Sequence, residues 1–152
     1  MTPISAHFSW EEATVTSHRE LDNTPTLVET PHLVLVFNEQ MEQLRALFDC
    51  PIQVNSAYRS PAVNAAVGGA ASSQHMKGQA VDWVPLADGL VLKEAYRRVL
   101  ESAIVYDQLI YEFGRWIHIS RPAFGAAPRR QTLMIGKWTN GAYLPYSADD
   151  AP

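Results

Sequence analysis

The stretch SAYRSPAVNAAVGGAASSQHMKGQAVDW, residues 56–83, sets His75 and Asp82 in one short segment with six residues between them. Small and polar residues, Ala70–Gln74, precede His75, and Gly78 lets the backbone turn before QAVDWV, residues 79–84, whose alternation reads as a strand. On that strand Ala80, Asp82 and Val84 share one face, with Val81 and Trp83 on the other. Further on, RWIHIS, residues 115–120, carries His118 on the same face as Trp116 and Ser120. Two imidazoles and one carboxylate are the ligand set of a catalytic zinc that keeps one position open for water. Taken singly, each is equally an ordinary hydrogen-bonded polar residue.

Outward from this stretch the chain alternates helical and strand signals. Ser9 followed by Glu12 reads as a capping box and opens a short helix from about Trp10 to Arg19. Residues 20–29 look like a loop. Thr30-Pro31 starts a helix over 31–48, where Leu33, Phe37, Met41, Leu44 and Phe48 recur at three- and four-residue spacing. IQVNSAY, residues 52–58, is strand-like, and Ser60-Pro61 opens a short helix that ends at Gly68-Gly69. A second long helix is expected from Asp88 to about Ser102. QLIYEF and WIHIS, parted near Gly114-Arg115, read as a β-hairpin, and a last strand is expected at Gln131–Ile135 before an Asn140-Gly141 turn and a polar tail. The expectation is one α+β domain over residues 1–152, with its core at about 5–137, a mostly antiparallel sheet and helices around a zinc site.

Composition narrows the function. At 152 residues with 47% hydrophobic and 18% charged residues, the chain is an ordinary globular protein with enough length for a core. A formal charge of -4, with no basic cluster beyond the pairs Arg97-Arg98 and Arg129-Arg130, argues against nucleic acid as a partner. Cys50 is the only cysteine, which excludes an intrachain disulfide and a thiolate zinc site; it reads as a small apolar filler. The N-terminus MTPISAHFSWEEA lacks the basic region and apolar run of a secretory signal, and no apolar span is long enough for a bilayer. Synthesis in the cytoplasm, without a signal peptide, is therefore expected.

The pattern SAYRSPAVNAAVGGAASSQHMKGQAVDW followed by DQLIYEFGRWIHIS resembles the zinc D-alanyl-D-alanine carboxypeptidase and L-alanyl-D-glutamate endopeptidase superfamily, in its compact phage and bacterial branch. That superfamily shares its fold with the Hedgehog signalling domain. The string S-x-H-x-x-G-x-A-x-D is matched by Ser73, His75, Gly78, Ala80 and Asp82, and the element W-x-H by Trp116 and His118. The resemblance implies one Zn²⁺ held by His75, Asp82 and His118, and a Hedgehog/DD-peptidase-like fold. It also implies a substrate-binding and catalytic role for Arg59, whose planar fork suits a carboxylate or an oxyanion. Ser73 is either a donor to the substrate or a turn residue holding the His75 loop.

The general base departs from the common pattern. Many relatives place Glu three residues before the last His, where this chain has Arg115. Glu112 is the nearest carboxylate. A three-residue loop, Phe113–Arg115, pairs Glu112 with Trp116 and Ile110 with His118, and brings Glu112 to the face of His118; a two-residue loop turns it away. Glu112 is the expected base, with Gln108 on the same face as support. Trp116 is a candidate for substrate binding, and Trp83, Tyr58 and Tyr111 for cleft lining or core. His7, His18 and His32 lack ligand spacing, Asp107 reads as a turn residue, and Asp149-Asp150 as a solvated end.

The reading is a monomeric zinc peptidase acting on the peptide stems of bacterial cell-wall peptidoglycan, in the manner of an endolysin. It would reach the wall through a phage holin or within a virion. D,D-carboxypeptidase and L-alanyl-D-glutamate endopeptidase activities both remain open. The alternative is a non-catalytic zinc-stabilised binding module, or a phage virion component of the same fold.

Overall fold

The computed structural model describes residues 1–152. Six strands form one sheet in the order β1-β2-β4-β3-β5-β6: Ile52–Ser56, Ala80–Pro85, Gln108–Glu112, Trp116–Ser120, Gln131–Ile135 and Leu144–Pro145 for β1 to β6. Every pairing is antiparallel except β3 with β5. Five short α-helices accompany the sheet: α1 Trp10–Ala13, α2 Thr30–Val36, α3 Glu42–Phe48, α4 Pro61–Ala66 and α5 Leu92–Leu100. The α+β expectation holds, with a mostly antiparallel sheet.

Strand alternation divides the sheet into two faces with different tasks. Val81, Trp83, Leu109, Tyr111, Ile117, Ile119 and Met134 point to one side and join Leu33, Val36, Phe37, Met41, Leu44 and Phe48 of α2–α3 and Tyr96 and Val99 of α5 in one core of 25 buried residues. Burying each large side chain of this kind stabilises the fold by about 1.5–3 kcal/mol. The residues between them, Asp82, Ile110, Glu112 and His118, face the other way, where no long helix packs. The helical face thus holds the sheet rigid beneath the opposite one.

The helix expected over 31–48 is present but interrupted. A π-helical segment, Phe37–Met41, joins α2 to α3 and admits one extra residue into the turn. Asn38 donates its amide to Val34 O at 2.8 Å and to Ile4 O at 3.0 Å, and buried Gln40 donates to Val105 O at 3.0 Å. The five apolar positions read from the spacing are all buried.

Three other expectations need correction. The first helix stops at Ala13 rather than reaching Arg19, although its Ser9–Glu12 capping box forms. Thr14 turns its hydroxyl back to Trp10 O at 2.9 Å, and the β-branched residues after it favour leaving the helix. The helix expected from Asp88 begins only at Leu92, because Gly89 takes a left-handed conformation with φ 76° in the turn after β2. Where a polar tail is expected after about residue 140, the chain adds β6 to the sheet and docks its end on the core. Tyr146 packs on Tyr96 with ring centroids 4.1 Å apart, Ala151 is buried, and Tyr111 donates its hydroxyl to Pro152 O at 2.8 Å. Asp149 and Asp150 are exposed, as a solvated end requires.

Because the tail is part of the packing, Tyr146→Ala should destabilise the protein by about 1–3 kcal/mol in denaturant melts. A truly solvated tail would give less than about 0.5 kcal/mol.

Candidate metal centre

Asp82 and His118 are direct partners across β2 and β4. Opposed residues in an antiparallel pair carry their Cβ atoms about 4.5–5.5 Å apart, so His118 Nδ1 reaches Asp82 Oδ1 at 3.0 Å. His75 arrives from outside the sheet, on a single 3₁₀ turn over Gln74–Lys77. Ser73 caps that turn by accepting the His75 backbone N–H at 3.2 Å, which favours its reading as the residue holding the His75 loop. Gly78 ends it with φ 70°; a Cβ there would lie 2.8 Å from Glu29 O and 3.0 Å from Leu33 Cγ, so only glycine fits.

Hydrogen bonding fixes the His75 ring. Its Nδ1 lies 2.7 Å from Ala57 O, and since a carbonyl oxygen only accepts, the proton resides on Nδ1. Nε2 of neutral His75 is then a bare lone pair, 3.2 Å from Asp82 Oδ1. Two acceptors facing each other in a buried site require a cation between them: a second proton, or a metal ion.

The donor set fits a metal. Ligand atoms of His75, Asp82 and His118 all lie within 4.8 Å of one another, and all three residues are buried. Bonds of about 2.0–2.1 Å to a tetrahedral zinc place ligand atoms about 3.3 Å apart, close to the 3.2 and 3.0 Å seen around Asp82 Oδ1. Burial pushes the Asp82 carboxyl up, but His75 and His118 outweigh this through charge and hydrogen bonding and hold it well below the ordinary carboxylate range. His7, His18 and His32 stay apart: His7 pairs with Glu42, His18 with Glu20, and His32 stacks on Phe124.

Arg59 engages the other oxygen of Asp82, its Nη2 donating to Oδ2 at 3.2 Å. Its Nε donates to Ser56 Oγ at 3.0 Å and its Nη1 to Asn64 Oδ1 at 3.4 Å. The guanidinium therefore splits the roles of the two Asp82 oxygens, one toward the imidazoles and one toward itself. Gly69 makes room for this clamp, since a Cβ there would sit 2.1 Å from Asn64 Oδ1.

The hairpin loop is the three-residue one, Phe113–Arg115, with Glu112 opposite Trp116 and Ile110 opposite His118. Glu112 Oε1 lies 3.7 Å from His118 Nδ1, beside the cluster. Trp116 donates its indole N–H to Glu112 Oε2 at 2.8 Å, so this polar edge, a candidate for substrate, is committed to the carboxylate. Burial and the Asp82 carboxylate push the Glu112 carboxyl up to about 7, against the pull of His118, Trp116 and Arg59.

Several residues are placed otherwise than their patterns suggest. Gln108 does not support Glu112; its amide donates to Gln131 Oε1 on β5 at 2.7 Å, because the neighbouring strand offers a nearer acceptor. Asp107 is a buried ion-pair partner rather than a turn residue: it accepts from Arg129 Nη2 at 2.6 Å and from Gln74 Nε2 at 3.0 Å, tying the loop before β5 to the His75 turn. Trp83, Tyr58 and Tyr111 are core residues, and Cys50 packs half-buried against the core. Asn23 had no local signal. Buried at the loop before α2, it donates to Tyr58 O and Thr14 O, each at 3.0 Å, and accepts from Ser60 N at 2.8 Å, bracketing Arg59 on both sides.

The raised Glu112 carboxyl has a consequence for the metal-free protein. Folded Glu112 keeps its proton where the unfolded chain, near the ordinary value of 4.5, has lost it. The folded state then binds more protons across this window, so the group's stabilisation is full below it and is lost as pH rises toward about 7. With excess chelator, denaturant melts should show wild type losing stability relative to Glu112→Gln between about pH 5 and pH 7. A pH-independent difference would contradict a Glu112 carboxyl raised by burial.

The comparisons agree with this geometry. No curated protein matches the chain. The peptidase M15 family model matches residues 6–120, most of the chain and every residue of the His75–Asp82–His118 cluster, ending where β4 ends. Peptidases of this family are zinc-dependent metallopeptidases, and the three side chains converging here could hold such an ion. On this match the chain belongs to the peptidase M15 family.

Proposed function

We propose that the protein is a zinc peptidase cleaving the peptide stems of bacterial cell-wall peptidoglycan, with a Hedgehog/DD-peptidase-like fold. The single observation that carries the catalytic reading is Glu112, which lies 3.7 Å from His118 and next to the ligand cluster. A binding module needs no carboxylate there.

His75, Asp82 and His118 would hold the zinc, which supplies Lewis acidity to the site. Two neutral imidazoles and one carboxylate leave it a net positive charge. That charge favours ionised Glu112 and opposes the upward push of burial. Ionised Glu112 takes a proton from the attacking water at Oε1 and delivers it to the departing amine. Trp116 holds the other carboxylate oxygen and fixes the direction of that transfer. The remaining Arg59 N–H groups face negative charge on the substrate, either a terminal carboxylate or a developing oxyanion. Cleavage at D-Ala-D-Ala or at L-Ala-D-Glu both accord with these roles. Delivery to the wall by a holin or within a virion accords with the endolysin-like reading.

Glu112→Gln preserves size and hydrogen bonding but removes basicity. The zinc-loaded variant should retain its metal while turnover of soluble stem peptides falls about 10²–10⁴-fold; near-normal hydrolysis would remove Glu112 from the mechanism. Arg59→Lys keeps the charge but loses the planar fork, and should lower turnover substantially. Wild-type behaviour of that variant would make Arg59 a purely structural partner of Asp82.

A further inference from the structure

The family match ends at Ser120, so β5 and β6 lie outside it, yet both extend the chemical face of the sheet. Glu112 is paired with Ile135 across β3 and β5. β5 pairs with β6 through Met134 with Leu144 and Leu133 with Pro145, and extending that register by one residue beyond β6 would set Tyr143 beside Ile135. Opposed residues share a face, so Tyr143 stands on the Glu112 side of the sheet, two strand spacings or about 9.5 Å away in the backbone. Between them, Ile110, Leu133 and Ile135 form a small apolar cluster separate from the main core.

Tyr143 differs from the tyrosines that hold the fold. The hydroxyls of Tyr96 and Tyr111 donate to Leu109 O and Pro152 O, and both rings are buried. Tyr143 is 56% exposed, and its hydroxyl takes no part in side-chain hydrogen bonds of the kind that hold Tyr96 and Tyr111. Burial raises its phenol above the ordinary range, as do the charges of Glu112 and Asp82, while Arg59 pulls it down. Those three charges belong to the site, and the strand register sets Tyr143 on the same face of the sheet. The phenol is protonated near neutral pH, and its free hydroxyl can donate to a peptide carbonyl oxygen.

We propose that Tyr143 is a substrate-binding residue whose hydroxyl donates a hydrogen bond to a peptide carbonyl on the Glu112 side of the cluster. The stem peptide then lies across the strands, held by Arg59 beyond Asp82 at one end and by Tyr143 at the other. This rests on the peptidase reading and adds a contact from a part of the chain outside the family match.

Tyr143→Phe removes only an unpartnered hydroxyl, so thermal stability and zinc content should not change. Calorimetric binding of a synthetic stem pentapeptide, L-alanine through D-alanyl-D-alanine, is measured on zinc-loaded Glu112→Gln protein with and without Tyr143→Phe. The second substitution should weaken binding about 3- to 10-fold, and in the active protein should raise KM by a similar factor. Equal binding by the two proteins overturns the role of Tyr143 and leaves the peptidase reading standing. No binding by the Glu112→Gln parent overturns both. A Tyr143→Phe protein that melts early also overturns the proposal, because the hydroxyl would then be holding the fold.

Discussion

The constraint on which the site depends is the burial of the Asp82 carboxylate. An ionised carboxyl in a sheet interior is costly unless its oxygens are matched by positive charge or hydrogen bonds. One oxygen meets two imidazole nitrogens, His75 Nε2 matching it only with a proton or metal ion between them, and the other meets a guanidinium, at 3.0–3.2 Å in each case. Each partner is itself fixed from behind: His75 by Ala57 O, Arg59 by Ser56 and Asn64, and His118 by its place in β4. Removing any one leaves uncompensated charge in a buried site. The arrangement could hold a cation, and the proposed catalysis depends on what lies beside it.

The sheet makes this affordable by separating two tasks. One face is packed by α2–α3 and α5 into the large core, which supplies most of the hydrophobic stabilisation. The other face carries the polar cluster with no helix laid across it. Rigid strands hold Asp82, His118 and Glu112 in register, while the capped His75 turn and the Arg59 segment close over them from the β1–β2 end. Ligand positions on strands are more precise than positions on loops. The one candidate ligand on a turn, His75, is accordingly the one with the most backbone restraints: a Ser73 cap, a glycine stop, and the Arg59 N–H donating to its carbonyl at 3.1 Å.

Much of this was legible in the sequence, because alternation and cap chemistry are local. Val81 and Trp83 against Asp82, and Ile117 and Ile119 against His118, announce the two faces by period alone. The two candidate loop lengths for the Glu112 hairpin differ by a single residue, and sequence alone left both open. What stayed hidden depends on distant partners. Asp107 looks like a turn residue until Arg129 and Gln74 fold against it. Gln108 shares the Glu112 face, but a better partner waits on β5, a strand that follows it by about twenty residues. Asn23 sits in an unpatterned loop, and only the folded chain brings it to Tyr58 and Ser60. The docked tail was missed for a related reason: its apolar residues, Tyr146 and Ala151, are too sparse to show a period.

Zinc K-edge absorption on stoichiometrically loaded wild-type protein and on Asp82→Asn tests the central claim most directly. The account predicts one zinc per chain in a first shell of two imidazole nitrogens and one carboxylate oxygen at about 2.0–2.2 Å, with a further light-atom ligand. It also predicts that Asp82→Asn binds zinc far more weakly. Wild-type protein that takes up no zinc, or an Asp82→Asn variant with an unaltered spectrum and affinity, would contradict it.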